Sequence, residues 1–137
     1  MPAVDGYHHG RRIITPLVLA HPDDPWLANA LPAQGLMDTG ASVTAISRDL
    51  ARELSLQPEG KRSITNTHGM QQAIQYRFRL GFLMPAANTA STPFMLAETV
   101  FGIDFTATPN FQVLIGMDII SQGTLEVHKA GHWHFAF

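Results

Sequence analysis

Turn-forming residues leave this chain little room for helix. Nine prolines and eleven glycines are spread over 137 residues. Proline in a helix interior removes a hydrogen bond and clashes with the preceding turn. What remains between the breaks is a series of short runs with strand chemistry. Ile13 to Ala20 is β-rich, with Pro16 pointing to an edge or a strand start. His21 to Pro32 holds three prolines and a Pro-Asp-Asp-Pro turn and reads as a loop. Gln34 to Asp38 and Val43 to Ile46 read as short buried strands. One helix follows: Ser47 is its N-cap, Asp49 sits in its first turn, and Ile46, Leu50 and Leu54 recur at i, i+4, i+8, with Pro58 and Gly60 expected to end it. Tyr76, Phe78 and Leu80 alternate with Arg77 and Arg79, the period of a half-buried strand. Ser63 to Thr67 and Gln72 to Leu83 therefore predict a long hairpin with the polar turn Asn66-Thr67-His68-Gly69 at its tip. Pro85 to Thr92 reads as a loop, Phe94 to Val100 as a strand, Phe111 to Ile115 as a buried strand, and Met117 to Ser121 as one helical turn. Leu125 to His128 and Trp133 to Phe135 close the chain as a hairpin around Gly131. Many short strands and one main helix predict an all-β, barrel-like fold. The domain is expected over 13–137, with 1–12 a loose, flexible arm.

Composition narrows the function classes. Only 15% of residues are charged against 45% hydrophobic, which argues for a packed core and against disorder. The net charge is -2 and there is no basic block, so no nucleic-acid partner is expected. The longest uncharged stretch, Met84 to Ala97, is broken by prolines and polar residues, so no membrane span is expected. No export signal is visible, which favours the cytoplasm. The chain has no cysteine, and so no disulfides, thiolate zinc sites or Cys nucleophile.

The chemistry concentrates at Leu36-Met37-Asp38-Thr39-Gly40-Ala41-Ser42, where an apolar run ends in a carboxylate, a hydroxyl and a glycine. A carboxylate at the end of a buried strand is costly unless its oxygens find donors. Gly40 lets the chain turn tightly and aim backbone N–H groups at Asp38, and Thr39 and Ser42 add hydroxyls. By itself the triplet also fits an ordinary Asp turn after a strand. Some 75 residues on, Val113-Leu114-Ile115-Gly116-Met117-Asp118-Ile119-Ile120 carries an apolar strand into a glycine and a short helix.

Taken together, these segments resemble the retropepsin-like aspartic proteases, the single-lobe family that includes the retroviral enzymes and cellular relatives. The order is the family's: Asp38-Thr39-Gly40-Ala41-Ser42 after a strand, a helix, a hairpin of flap length, Leu114-Ile115-Gly116, a short helix and a final hairpin. The resemblance implies a closed barrel with one main helix, a flap hairpin and a short C-terminal helix. It implies an aspartic endopeptidase with Asp38 catalytic. Hydrolysis by carboxylates needs one ionised to take a proton from water and one protonated to polarise the carbonyl. Two such groups about 3 Å apart share a proton, as in the aspartic proteases generally. This chain has one Asp-Thr-Gly, so the second Asp38 is expected from another copy across a two-fold axis, in a homodimer. The resemblance also implies that Thr39 bonds across the axis, that Gly40 contacts the substrate backbone and that Ala41 lines the pocket. Ser42 stands where many retroviral enzymes carry a second Asp. Gly116 would let its strand pass close beneath the Asp38 loop. Thr67, His68, Gly69 and Met70 would form the flap tip over a peptide or protein substrate. No cofactor or metal is implied. A catalytically silent binding or dimerisation module of the same fold is the alternative.

Other residues read more plainly. Asp118 is expected to cap its helix or pair with an Arg, and Asp104 to sit in a turn. His132 and His134 share a strand face, close to His128, as ordinary histidines or metal ligands. The Trp133 to Phe137 end is apolar and, by resemblance, packs against a second subunit.

Overall fold

The computed structural model describes residues 2–84, 92–106 and 108–137, the side chains of residues 66 and 92 excepted. In chain order its elements are β1 (Ala3–Tyr7), β2 (Ile14–Ala20), β3 (Leu31–Met37), β4 (Ala45–Ser47), α1 (Arg48–Glu53), β5 (Lys61–Asn66), β6 (Gly69–Met84), β7 (Thr92–Met95), β8 (Val100–Phe105), β9 (Val113–Ile115), α2 (Met117–Ile120), β10 (Thr124–Val127) and β11 (His132–Ala136). The all-β class expected from the sequence is what forms. None of the described helices is long and apolar enough to cross a membrane.

The main sheet runs β2-β3-β9-β4-β8-β6-β5, with β7 also on β6. Most neighbours are antiparallel, but β3 with β9 and β4 with β8 are parallel. The expected barrel is not formally closed. The long strand β6 reaches β8 through Gln75 to Phe78 and returns to β2 through Arg79 to Phe82. Different stretches of one strand make the two contacts, so the sheet curls around its core without a continuous seam. Alternation fills that core: Leu17 and Leu19 of β2, Phe78, Leu80 and Phe82 of β6, and Val113 and Ile115 of β9 have no exposed surface.

Three expectations need correction. Residues 3–7 are no loose arm: they form β1, paired along its length with β11 from Ala3 opposite Ala136 to Tyr7 opposite His132. The Trp133 to Phe137 end, expected to pack against a second subunit, already packs within its own chain. Trp133 and Phe135 are buried in their own chain, and Phe82 packs its ring against Phe135 at 5.8 Å and Phe137 at 4.9 Å. The three-stranded sheet β1-β11-β10 lies over the main sheet at this aromatic contact. Finally, the strand expected at Phe94 to Val100 is divided. Gly81 faces Met95 and Phe78 faces Val100, so one side advances five residues while β6 advances three. The surplus bulges out of the ladder at Ala97 and Glu98. The loop expected at 85–92 falls outside the described residues, apart from the backbone of residue 92 in β7.

The helix starts as expected. Leu50 N donates to Ser47 Oγ at 3.1 Å. It ends earlier than Pro58, because Ser55 adopts a left-handed backbone with φ 56 and Leu56 N turns back to Ala51 O at 3.0 Å.

Candidate active site

β3 and β9 run side by side until Met37 faces Ile115, and there they part. Asp38 is the first residue beyond the pairing. Its N–H still donates to Ile115 O at 2.9 Å, which fixes where the carboxylate emerges. The chain then turns: Ala41 N donates to Asp38 O at 3.2 Å, and Gly40 N donates to Asp38 Oδ1 at 2.9 Å. The donor expected at Gly40 is therefore in place. No other hydrogen bond reaches the carboxylate among the described residues, and Asp38 is half-buried.

The loop is held from beneath by the other half of the motif. Met117 N donates to Ala41 O at 2.7 Å. Gly116 lies so close that a Cβ there would stand 2.6 Å from the carbonyl carbon of Val43 and 2.7 Å from its oxygen. Its φ of -91 suits any residue, so the glycine answers a demand for space and not for conformation. A second tie was not anticipated. Thr44 is fully buried, and its hydroxyl accepts from Gly116 N at 3.2 Å and donates to Asp118 Oδ1 at 2.8 Å. Thr44 N donates to Asp118 Oδ2 at 3.0 Å, and Ile119 N donates to Asp118 Oδ1 at 3.0 Å. Asp118 was expected to cap this helix or pair with an arginine, but the N-cap is Gly116, without a side-chain bond; Asp118 sits in the first turn, and its partner across the fold is Thr44. Nothing local in the sequence signals a threonine and an aspartate 74 positions apart as partners.

Hollows flank the loop. Asp38 and Thr39 line one of about 530 Å³ together with Ile13, Leu36 and Leu125. Ser42 and Asp118 line another of about 420 Å³, which Arg62 of β5 also enters. The β5–β6 hairpin pairs from Lys61 opposite Ile74 to Asn66 opposite Gly69, with Thr67 and His68 in the turn, as expected. Thr67, His68, Gly69 and Met70 are all exposed, and none of them lines the hollow at Asp38. The hairpin's root is anchored by a residue expected in a turn. Asp104 lies in β8 with its side chain only 5% exposed, and it accepts from Ile74 N at 3.0 Å and from Arg48 Nε at 2.9 Å.

The histidines at the chain's end do not gather as ligands. His132 Nε2 lies 3.0 Å from Asp5 Oδ2, and its ring stacks on His128 at 5.6 Å. Among the described residues no group of three or more His, Asp or Glu is arranged to hold a metal ion.

An oriented carboxylate beside a hollow can exchange a proton with water. A single one cannot be base and acid in the same step. The comparisons with known proteins agree with this geometry. The model of the family described as "gag-polyprotein putative aspartyl protease" matches residues 27–122, from before β3 to the end of α2. No curated protein matches the sequence. Among solved structures, the fold is similar to that of a retropepsin-like aspartic protease from Rickettsia conorii, with a TM-score of 0.56 at 14% identity over 98% of this chain and 92% of that one. At that identity the likeness speaks for the fold. The family match covers the Asp38 loop, the hairpin and Gly116 together, and on it the chain belongs to the retropepsin-like aspartic proteases.

Proposed function

We propose that this protein is an aspartic endopeptidase that works as a homodimer, with Asp38 of each chain in one shared site. The observation that carries the reading is the clamp on the Asp38 loop: Gly40 N on the carboxylate, Ile115 O on the backbone, and Gly116 packed beneath. Such a clamp holds a costly charged group at one place and in one orientation. One Asp38, ionised, takes a proton from water as its oxygen attacks the peptide carbonyl carbon. The other, protonated, gives its proton to the carbonyl oxygen. The Asp38 that took water's proton gives it to the amine nitrogen as the C–N bond breaks, and the other Asp38 takes back a hydroxyl proton from the collapsing diol, which leaves a carboxylic acid, an amine and the dyad with its one shared proton. Thr39 joins the two loops across the axis, Gly40 and Ser42 meet the substrate, Ala41 lines its pocket, and the hairpin tip from Thr67 to Met70 closes over it and excludes water.

The test is incubation of the purified protein with a varied peptide library, beside Asp38→Asn. Asparagine keeps the acceptor for Gly40 N but cannot exchange the proton. Cleavage should fall by about 10²- to 10⁴-fold, while sedimentation at micromolar concentration shows the dimer intact. Equal products from both proteins, or a strict monomer at every concentration, would refute the reading.

A further inference from the structure

The hollow at Asp38 has a basic rim that proton transfer does not use. His8, Arg11 and Arg12 line it beside Ile13, Leu36 and Asp38. Both arginines are exposed, and neither forms an ion pair with a carboxylate among the described residues. In a chain of net charge -2 this concentration of positive charge is local.

The backbone that presents the arginines is unusual. His9 and Arg12 exchange both of their backbone hydrogen bonds at 3.0 Å, closing a two-residue turn on Gly10 and Arg11. Both central residues have positive φ, 58 for Gly10 and 64 for Arg11. Such turns favour Asn or Gly at these positions, and a long side chain held there is strained. Strain of this kind clusters at ligand sites. A further polar group lies unused, since His8 Nδ1 is buried with no hydrogen-bond partner among the described residues.

We infer that this rim is an acid-selecting subsite: the peptide held at Asp38 carries a Glu or Asp whose stem lies over Ile13 and Leu36 and whose carboxylate meets Arg11 and Arg12. The inference rests on the reading of the Asp38 hollow as a peptide cleft. Guanidinium groups match a carboxylate with paired, charge-assisted hydrogen bonds, and a half-enclosed cavity screens them less than open water does. Glutamate and glutamine have nearly the same shape, so a preference between them reports the charge.

The experiment measures binding, which does not require turnover. The Asp38→Asn protein is titrated with fluorescein-labelled octapeptides made in sets that differ only in Glu, Gln or Lys at one position. The Glu member should bind about tenfold tighter than the Gln member at low salt, and the gap should narrow at roughly 0.5 M salt. In the Arg11→Ala/Arg12→Ala background the preference should shrink to within about twofold, whereas Arg52→Ala on α1 should retain it. Arg12→Glu should turn the preference towards Lys. Equal binding of Glu and Gln members, or a preference that outlives the double substitution, overturns the subsite. A double variant that sediments as a monomer where its parent dimerises assigns the arginines to the subunit contact and also overturns it. If no peptide is ever hydrolysed yet the Arg-dependent preference is present, the endopeptidase reading fails and the subsite stands.

Discussion

Gly116→Ala adds one methyl group under the Asp38 loop, and its effect can be worked out in advance. The backbone there, with φ -91, is as comfortable for alanine as for glycine, so no conformational strain arises. The new Cβ would stand 2.6 Å from the Val43 carbonyl carbon, 2.7 Å from its oxygen and 3.0 Å from Ala41 O. Carbon atoms in contact settle at about 3.5–4.0 Å, so roughly 1 Å must be found. The obstructing atoms are main chain and cannot swing aside as a side-chain tip would. Overpacking of this sort costs about 1–3 kcal/mol, and the narrower unfolded ensemble of alanine offsets roughly 0.4–1 kcal/mol. The net loss of about 1–2 kcal/mol lowers Tm by roughly 4–7 °C in a domain of this size. Activity should suffer more than stability. Ala41 and Val43 belong to the loop that carries Asp38, and a displacement of about 1 Å at a reacting group costs on the order of 10²-fold in rate. Thermal melts followed by circular dichroism and kcat/KM on one cleaved peptide test both halves. A variant that melts with its parent and cleaves at the parental rate would show that the loop does not lean on Gly116.

Thr44→Val removes the hydroxyl that joins Gly116 N to Asp118 and leaves a buried N–H unsatisfied, so urea unfolding should show a loss of about 1–3 kcal/mol. Thr44→Ser should lose clearly less, and equal losses would mean that the methyl group matters and not the hydrogen bonds. Asp104→Ala unties the root of the β5–β6 hairpin from α1. It should cost about 1–3 kcal/mol and speed amide exchange at Ile74, whose N–H would lose its acceptor; unchanged exchange there would refute the anchor. Phe82→Ala empties the contact that joins the two sheets, with Phe135 and Phe137 against it. A loss of about 3–5 kcal/mol is expected, and one below about 1 kcal/mol would mean that the terminal sheet does not depend on that ring.

Features legible in the sequence were those whose causes lie within a few residues. Ser47 caps α1 because its hydroxyl reaches a backbone N–H three positions on. Alternation from Tyr76 to Phe82 displays the buried face of β6, and the turn at Thr67 and His68 announces its hairpin. Gly40 beside Asp38 predicts the N–H on the carboxylate, and Gly116 after an apolar strand points to a close approach of backbones. The start of the helix was readable but its end was not, since Ser55 takes a left-handed backbone that its side chain does not advertise.

What only the tertiary structure decided are the contacts between segments far apart in the chain. β1 carries no distinct periodicity, and it became a strand because β11 offered an edge 133 positions away, at Ala136 for Ala3. Trp133 and Phe135 looked apolar enough for a partner, but Phe82 and β1 had already covered them. Thr44 found Asp118, Asp104 found Ile74, and Arg11 came to line the same hollow as Asp38, none of them marked by local spacing. Propensity and periodicity act along the chain over a turn or two. The partner of a buried hydroxyl or a bare strand edge is chosen by which distant segments the whole fold brings within about 3 Å of it.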